Sequence, residues 1–225
     1  MTLQYVDIVF QMIAFLFAIS IHESAHAWMA NRRGDPTARM LGRVSLNPIH
    51  HIDPVGTILL PVIAMLTHFP VIGWAKPTPV DPRNFKNPVL DDILTSVAGP
   101  VSNFIVATGA TILLAAIAVV APGGRMIVHG AMGGFLTSNS ALVPASILLY
   151  ELMAINVLLG VFNLIPVPPL DGSHVLRHFL SENVRRVYDM VGIFGLMALV
   201  FFGGNFLWAL ISPVLNLYRS ILLSV

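Results

Sequence analysis

The sequence predicts an all-α polytopic membrane protein with about five to six transmembrane helices. Three observations carry that expectation. Of 225 residues, 56% are hydrophobic and only 10% are charged, where a soluble domain carries about 25% charged residues. The mean hydropathy is +0.81. The apolar residues are also gathered into runs of the roughly 20 residues that a helix needs to cross a bilayer. Residues 1–225 read as a single membrane-embedded domain, without repeats or low-complexity linkers. A net charge of +1 and the lack of any basic run argue against a nucleic-acid partner. There is no cysteine. Disulfides, thiolate metal sites and cysteine nucleophiles are therefore excluded, and His, Asp and Glu remain as metal-ligating side chains.

The first apolar segment covers residues 3–30 and is long enough to span. No Lys or Arg precedes it, so it lacks the basic start of a signal peptide and is expected to stay in the protein. Asn31-Arg32-Arg33-Gly34-Asp35-Pro36 stops it with two cations and two helix breakers. The polar stretch that follows alternates through Met40, Arg43, Val44, Ser45 and Leu46, which suits a short β-hairpin over residues 40–47. The second segment, residues 54–74, is apolar but interrupted by Pro61 and by Thr67-His68-Phe69-Pro70. The third segment is residues 91–120. A Gly- and Ser-containing loop over residues 122–143 follows; it lacks the Gly-Lys-Ser/Thr of a phosphate loop. The fourth segment is residues 144–165, a short amphipathic stretch covers 172–180, and the last apolar region, 187–223, is split by Gly203-Gly204-Asn205 into a helical hairpin.

Charge sets an orientation. Residues 31–51 hold four Arg, 76–87 two Lys and one Arg, 170–186 three Arg, and 122–143 one Arg. By the positive-inside rule the first three loops are cytoplasmic and the fourth faces outward. The second segment then starts and ends on one side, and must be re-entrant or a hairpin buried against protein.

The chemistry concentrates in Ser20-Ile-His-Glu-Ser-Ala-His-Ala-Trp28, at the end of the first segment. In a helix, His22 and His26 lie one above the other on one face. Two neutral imidazoles so placed can bind one zinc ion at about 2.0–2.1 Å, and Glu23 stands beside them to take a proton from an attacking water. An H-E-x-x-H spacing also arises by chance in helices. However, each ionisable group inside an apolar span costs about 2.5–3.5 kcal/mol, which marks three within five residues as functional candidates. A hydrolytic site needs a third protein ligand. The best candidate is Asp171, in Asn163-Leu-Ile-Pro166-Val-Pro168-Pro169-Leu-Asp171-Gly172, where prolines end the fourth segment and force an extended approach. The orientation puts this turn on the same side as His22 and His26. Asp171 could equally cap the helix beginning at Gly172, and Asn163 could be an interhelical hydrogen-bonder.

Taken together, His22-Glu23-Ser24-Ala25-His26 and the later Asn163…Pro166…Leu170-Asp171-Gly172 resemble the site-2 protease family of intramembrane zinc metalloproteases. Ala98-Gly99-Pro100…Asn103 and Gly73-Trp74-Ala75-Lys76-Pro77 are similar to its short prokaryotic members, and the resemblance covers nearly the whole chain. The chain shows no PDZ or CBS domain of the kind many relatives carry. The resemblance implies that His22, His26 and Asp171 bind one Zn2+ per chain and that Glu23 is the general acid/base. Asn163 is implied to hold substrate or the developing oxyanion. The implied partners are a single-span membrane-protein or peptide substrate and the lipid bilayer. The implied setting is a prokaryotic inner or plasma membrane, with the active site near the cytoplasmic side. A membrane ion or metal transporter using buried His, Asp and Glu is the competing reading; a catalytically silent relative is a third.

Other polar residues have blander expectations. His174 and His178 are expected in supporting or interfacial roles, His50 and His51 in structural ones, and His68 and His129 in loops. Glu151 is expected to be neutral or paired against another helix, and Asn103 either touches substrate or bridges helices.

Overall fold

The computed structural model describes residues 3–67, 73–135 and 140–225. The described residues are helical with irregular connections, and no strand occurs among them. Helix α1 (Leu3–Arg33) ends where Arg32 and Arg33 complement its C-terminal dipole. A one-turn helix α2 (Thr37–Met40) follows, then a 3-10 turn at Pro48–His50. A π-helical turn, Pro54–Leu59, runs into the short helix α3 (Leu60–Thr67). After an extended stretch and a second 3-10 turn at Pro82–Asn84 comes α4 (Pro88–Val120), capped by the Asn87 side chain, which accepts from the Leu90 N–H. The remaining helices are α5 (Gly124–Gly133), α6 (Leu142–Asn163), α7 (Asp171–Arg177), α8 (Glu182–Phe202) and α9 (Gly204–Ser224).

Four helices among the described residues are long and apolar enough to cross a membrane: Ile8–Arg33 of α1, then α4, α6 and α9. That is fewer than the five to six expected. Helix α8 has the length but carries Glu182, Arg185, Arg186 and Asp189 in its first half. The second apolar segment is a short helix, Pro54–Ala64. Its end folds back on its start: the Trp74 N–H donates to Gly56 O at 3.1 Å and Thr57 Oγ1 donates to Trp74 O at 2.7 Å. That return is what a re-entrant element requires, and Gly56 permits it, because a Cβ there would overlap the Trp74 indole. His68 lies outside the described residues.

Two local expectations are corrected. Residues 40–47 form turns and bends rather than a hairpin. Gly42 has φ +71°, and Arg43 turns inward, buried, donating to the carbonyls of His50 and, at 3.5 Å, Lys76. A side chain spent inside the loop breaks the alternation a strand needs. Residues 124–133, expected as loop, form α5, and His129 sits within it. Glycines in left-handed conformation frame it, Gly123 (φ +69°) and Gly134 (φ +73°), while Ile127, Val128 and Ala131 make its buried face. The glycines act as boundaries, not as a sign of irregular chain. The final apolar region breaks into α8 and α9 at Gly203, as expected.

The core is the α1–α4–α6 trio. Helix α4 packs on both others, with α5 and α9 closing one end. Small residues let the backbones approach: Ala14, Ala18, Ala27 and Ala30 on α1, and Ala107 and Ala110 on α4, are buried. Leu114, Val128, Met153, Val157 and Leu222 fill the closed end. Large apolar side chains such as Ile105, Ile112, Val119 and Phe202 point outward, as lipid-facing residues must. Two long helices, α4 and α6, carry the chain away from the end of α1 and back again, so Asp171 emerges beside the last turns of α1.

On that side Asp35 is a hub. Its carboxylate accepts from Thr37 N (3.1 Å) and Oγ1 (2.5 Å), Asp81 N (2.7 Å) and Asn84 Nδ2 (2.8 Å), tying the end of α1 to the turn before α4. Burial pushes this carboxyl up, but the bonds from Thr37, Asp81 and Asn84 outweigh it and hold it below its ordinary value. A depressed carboxyl contributes stability that is present above its unfolded pKa and lost as pH falls through the folded one. Asp35→Ala is therefore expected to lower the melting temperature clearly at pH 7. The gap from wild type should narrow as pH drops below about 4, measured by thermal scans in one detergent across pH.

Candidate metal centre

Helix α1 sets His22 and His26 one turn apart, both only 7% exposed. Helix α7 begins at Asp171, after the proline-stiffened approach. The two halves meet. Asp171 Oδ2 lies 3.2 Å from His22 Nε2 and 3.4 Å from His26 Nε2, and the two Nε2 atoms are 3.0 Å apart. The two imidazoles stand nearly perpendicular, at 82°. This is the one group of three metal-capable side chains among the described residues.

Carbonyl groups fix which ring nitrogen is bare. His26 Nδ1 lies 2.7 Å from Thr95 O, which can only accept, so Nδ1 carries the proton and Nε2 the lone pair. His22 is set at the end of a longer chain. Asn156 Nδ2 donates to Leu152 O (2.8 Å), so its Oδ1 accepts from Asn103 Nδ2 (2.8 Å). The Asn103 Oδ1 then accepts from His22 Nδ1 at 2.6 Å. In the neutral imidazoles Nε2 is then the bare nitrogen of both rings, and both face a carboxylate oxygen that is buried without a hydrogen-bond partner. With neutral rings, three lone pairs converge on one point, which is the arrangement a bound cation takes up. The donor set, two imidazoles and one carboxylate, is one that zinc accepts, so the residues present fit the metal.

Helix α4 makes room. A Cβ on Gly99 would overlap His26 Nε2 and lie well inside contact distance of His22 Cε1. Glu23, on the next position of α1, points to the chain before α4: its Oε2 accepts from Thr78 N at 3.0 Å and Thr78 Oγ1 at 2.8 Å.

The stretch of chain that builds these helices matches a described family. Residues 10–202 match peptidase family M50. The chain belongs to that family. It is thus a metallopeptidase, a hydrolase, and with its apolar helices an integral membrane protein. Among curated relatives, YwhC of Bacillus subtilis (strain 168), which bears the name of a zinc metalloprotease, is 36% identical over 95% of this chain and 89% of its own length. Rip2 of Mycolicibacterium smegmatis (strain ATCC 700084 / mc(2)155), similarly named, is 25% identical over 95% of this chain and 71% of its own. No solved structure gives a significant match.

The structure brings His22, His26 and Asp171 together and leaves Asn163 apart in its bonding: its Nδ2 donates to Leu159 O at 3.0 Å, within α6. His174 and His178 do not form a second metal group. They face Asp92 of α4, His178 Nε2 at 2.7 Å and His174 Nδ1 at 3.8 Å, and so bind α7 to α4. His51 is buried with Nε2 donating to Ser45 O at 2.7 Å, whereas His50 is exposed. Asn103 does bridge helices, through Asn156. Sequence reasoning passed over Thr78, Thr95, Asn156 and the steric role of Gly99. Only Asn156, an amide two turns before Asn163 in an apolar span, carried a readable signal.

Because outer hydrogen bonds of this kind hold metal ligands in place, Asn103→Leu is expected to weaken divalent-metal binding about 10–100-fold in chelator competition, with folding retained. Gly99→Ala should abolish binding at the same concentrations by pushing the imidazoles apart.

Proposed function

We propose that this chain is an intramembrane zinc-dependent endopeptidase that cleaves transmembrane segments of membrane-protein substrates, as in regulated intramembrane proteolysis. The observation that carries the reading is the convergence of His22 Nε2 and His26 Nε2, on a helix long and apolar enough to span, with the orphaned Asp171 Oδ2 at the start of α7. His26 and His22 precede Arg33 by seven and eleven residues, roughly 10 and 16 Å at about 1.5 Å per residue, so the site lies within the bilayer's thickness. The substrate class that can reach such a depth is itself membrane-embedded: a single-span protein or peptide. The arginine-rich loops on the α1 C-terminal side support a cytoplasmic-facing site in a prokaryotic inner or plasma membrane.

His22, His26 and Asp171 would hold one zinc ion, which would supply Lewis-acid polarisation of the scissile carbonyl and a more acidic water. Glu23 takes the proton of the attacking water and delivers it to the leaving amine. Asn163, at the end of α6, is assigned to the substrate backbone, which requires its amide to exchange Leu159 O for substrate. A helical peptide bond is shielded by its own hydrogen bonds, so the substrate segment must be unwound where it is cut.

The test pairs metal analysis with cleavage of a single-span substrate in vesicles. Wild type should carry about one zinc per chain. Glu23→Gln should keep that zinc and lose about 10²–10⁴-fold in kcat, while Asp171→Ala should lose the metal itself. Unchanged cleavage by Glu23→Gln would remove the glutamate from the chemistry.

A further inference from the structure

The stretch between the second apolar segment and α4, residues 73–81, passes over the helix that carries His22, Glu23 and His26 without forming helix or strand. Its sequence at the crossing is Pro77-Thr78-Pro79. Pro77 fixes its own φ, and Pro79 bars Thr78 from helical conformation, so the tripeptide is stiff before any tertiary contact forms. The strap is pinned on both sides of Thr78. Lys76 N donates to His51 O at 2.9 Å and Lys76 O lies 3.5 Å from the buried Arg43 guanidinium. Three residues beyond Thr78, Asp81 N donates to the Asp35 hub at 2.7 Å.

Thr78 meets Glu23 with two donors. Its N–H reaches Oε2 at 3.0 Å and its hydroxyl reaches the same oxygen at 2.8 Å. The hydroxyl also lies 3.1 Å from Glu23 O, but one proton serves one acceptor, and the shorter, charged one is the stronger partner. Among the described residues no donor reaches Oε1.

We propose that Thr78, stiffened by its flanking prolines, is the positioning residue for the general base: it fixes Glu23 by Oε2 and leaves Oε1 to carry the proton. This rests on the reading of Glu23 given above. A proton placed on Oε2 would confront the fixed Thr78 N–H, so only Oε1 is open. In the reaction an O–H bond of water breaks, its oxygen bonds to the carbonyl carbon, and the proton goes to Oε1. When the C–N bond breaks, that proton passes from Oε1 to the departing amine nitrogen. Thr78 transfers nothing. It supplies in the apolar span the hydrogen bonds that water would give the carboxylate outside it, and it removes the freedom of a long side chain to point elsewhere.

The experiment compares wild type, Thr78→Val, Thr78→Ser and Glu23→Gln as purified full chains, zinc-loaded, in one vesicle preparation with one single-span substrate. Zinc per chain, melting temperature, KM and kcat are read for each. Thr78→Val keeps the shape and the backbone N–H and removes only the hydroxyl. Its kcat per zinc-loaded chain should fall about 10–100-fold, the scale of one hydrogen bond to a charged group, with KM and zinc content unchanged. Thr78→Ser should recover most of that loss. The proposal is overturned if Thr78→Val keeps wild-type kcat, if its loss merely follows lost zinc or lost folded protein, or if serine rescues nothing. Activity in Glu23→Gln would instead sink the reading of Glu23 beneath it.

Discussion

One face of α4 is the constraint on which the site depends. Asp92, Thr95, Gly99 and Asn103 recur at helical spacing, and each does one job toward the metal centre. Asp92 holds α7 through His178, Thr95 O orients His26, Gly99 vacates the space the imidazoles occupy, and Asn103 orients His22. The two halves of the site come from helices far apart in sequence, and α4 is the surface against which both are aligned. The register follows from antiparallel packing. Arg33 pairs with Asp91 at 2.5 Å, His26 with Thr95, and His22 with Asn103, so descending positions on α1 meet ascending ones on α4. A shift of one turn in either helix would break all three pairs together.

The groups that orient the imidazoles are neutral: two asparagines and two backbone carbonyls. Metal-binding histidines in water-soluble sites are often steadied by a carboxylate. Within a span every added charge carries an insertion cost, and Asp171 already supplies one. An amide chain that ends on Leu152 O fixes the same tautomer without another ion. Charges appear instead where α1 ends and the polar loops begin, at Arg33–Asp91, in the Asp35 hub and at Asp92 with its two histidines.

Much of this was legible in the sequence because the relevant signals are local. The H-E-x-x-H spacing needs only a helix to become a ligand pair, and the prolines before Asp171 announce where α6 stops, although the approach they were expected to extend is a run of turns and bends. The long apolar runs become α1, α4 and α6 with ends a few residues from those expected. The failures have a common cause. Alternation at residues 40–47 looked like a strand because nothing in the sequence says that Arg43 turns inward to hold two carbonyls. The glycines near 123 and 134 looked like loop because their role as helix boundaries depends on φ. Thr95 acts through its carbonyl, which no side chain identity reveals, and Gly99 acts by lacking a side chain.

The depth of the site is also explained by its neighbours rather than by the ligands alone. His22 and His26 are far enough inside α1 to be surrounded by lipid-facing helices, yet Glu23 is met by a strap that enters from the polar end. That strap starts where the end of the second segment meets its own beginning. Because Trp74 bonds back onto Gly56 and Thr57, residues 73–81 set out from beside the start of the second segment and pass over α1 before α4 begins. Had residues 54–74 formed a full span, α4 would start on the opposite side. Its polar face would then run parallel to α1, and neither Thr95 nor Asn103 would fall opposite its histidine. The short, proline-broken second segment thus decides the topology on which the metal centre rests.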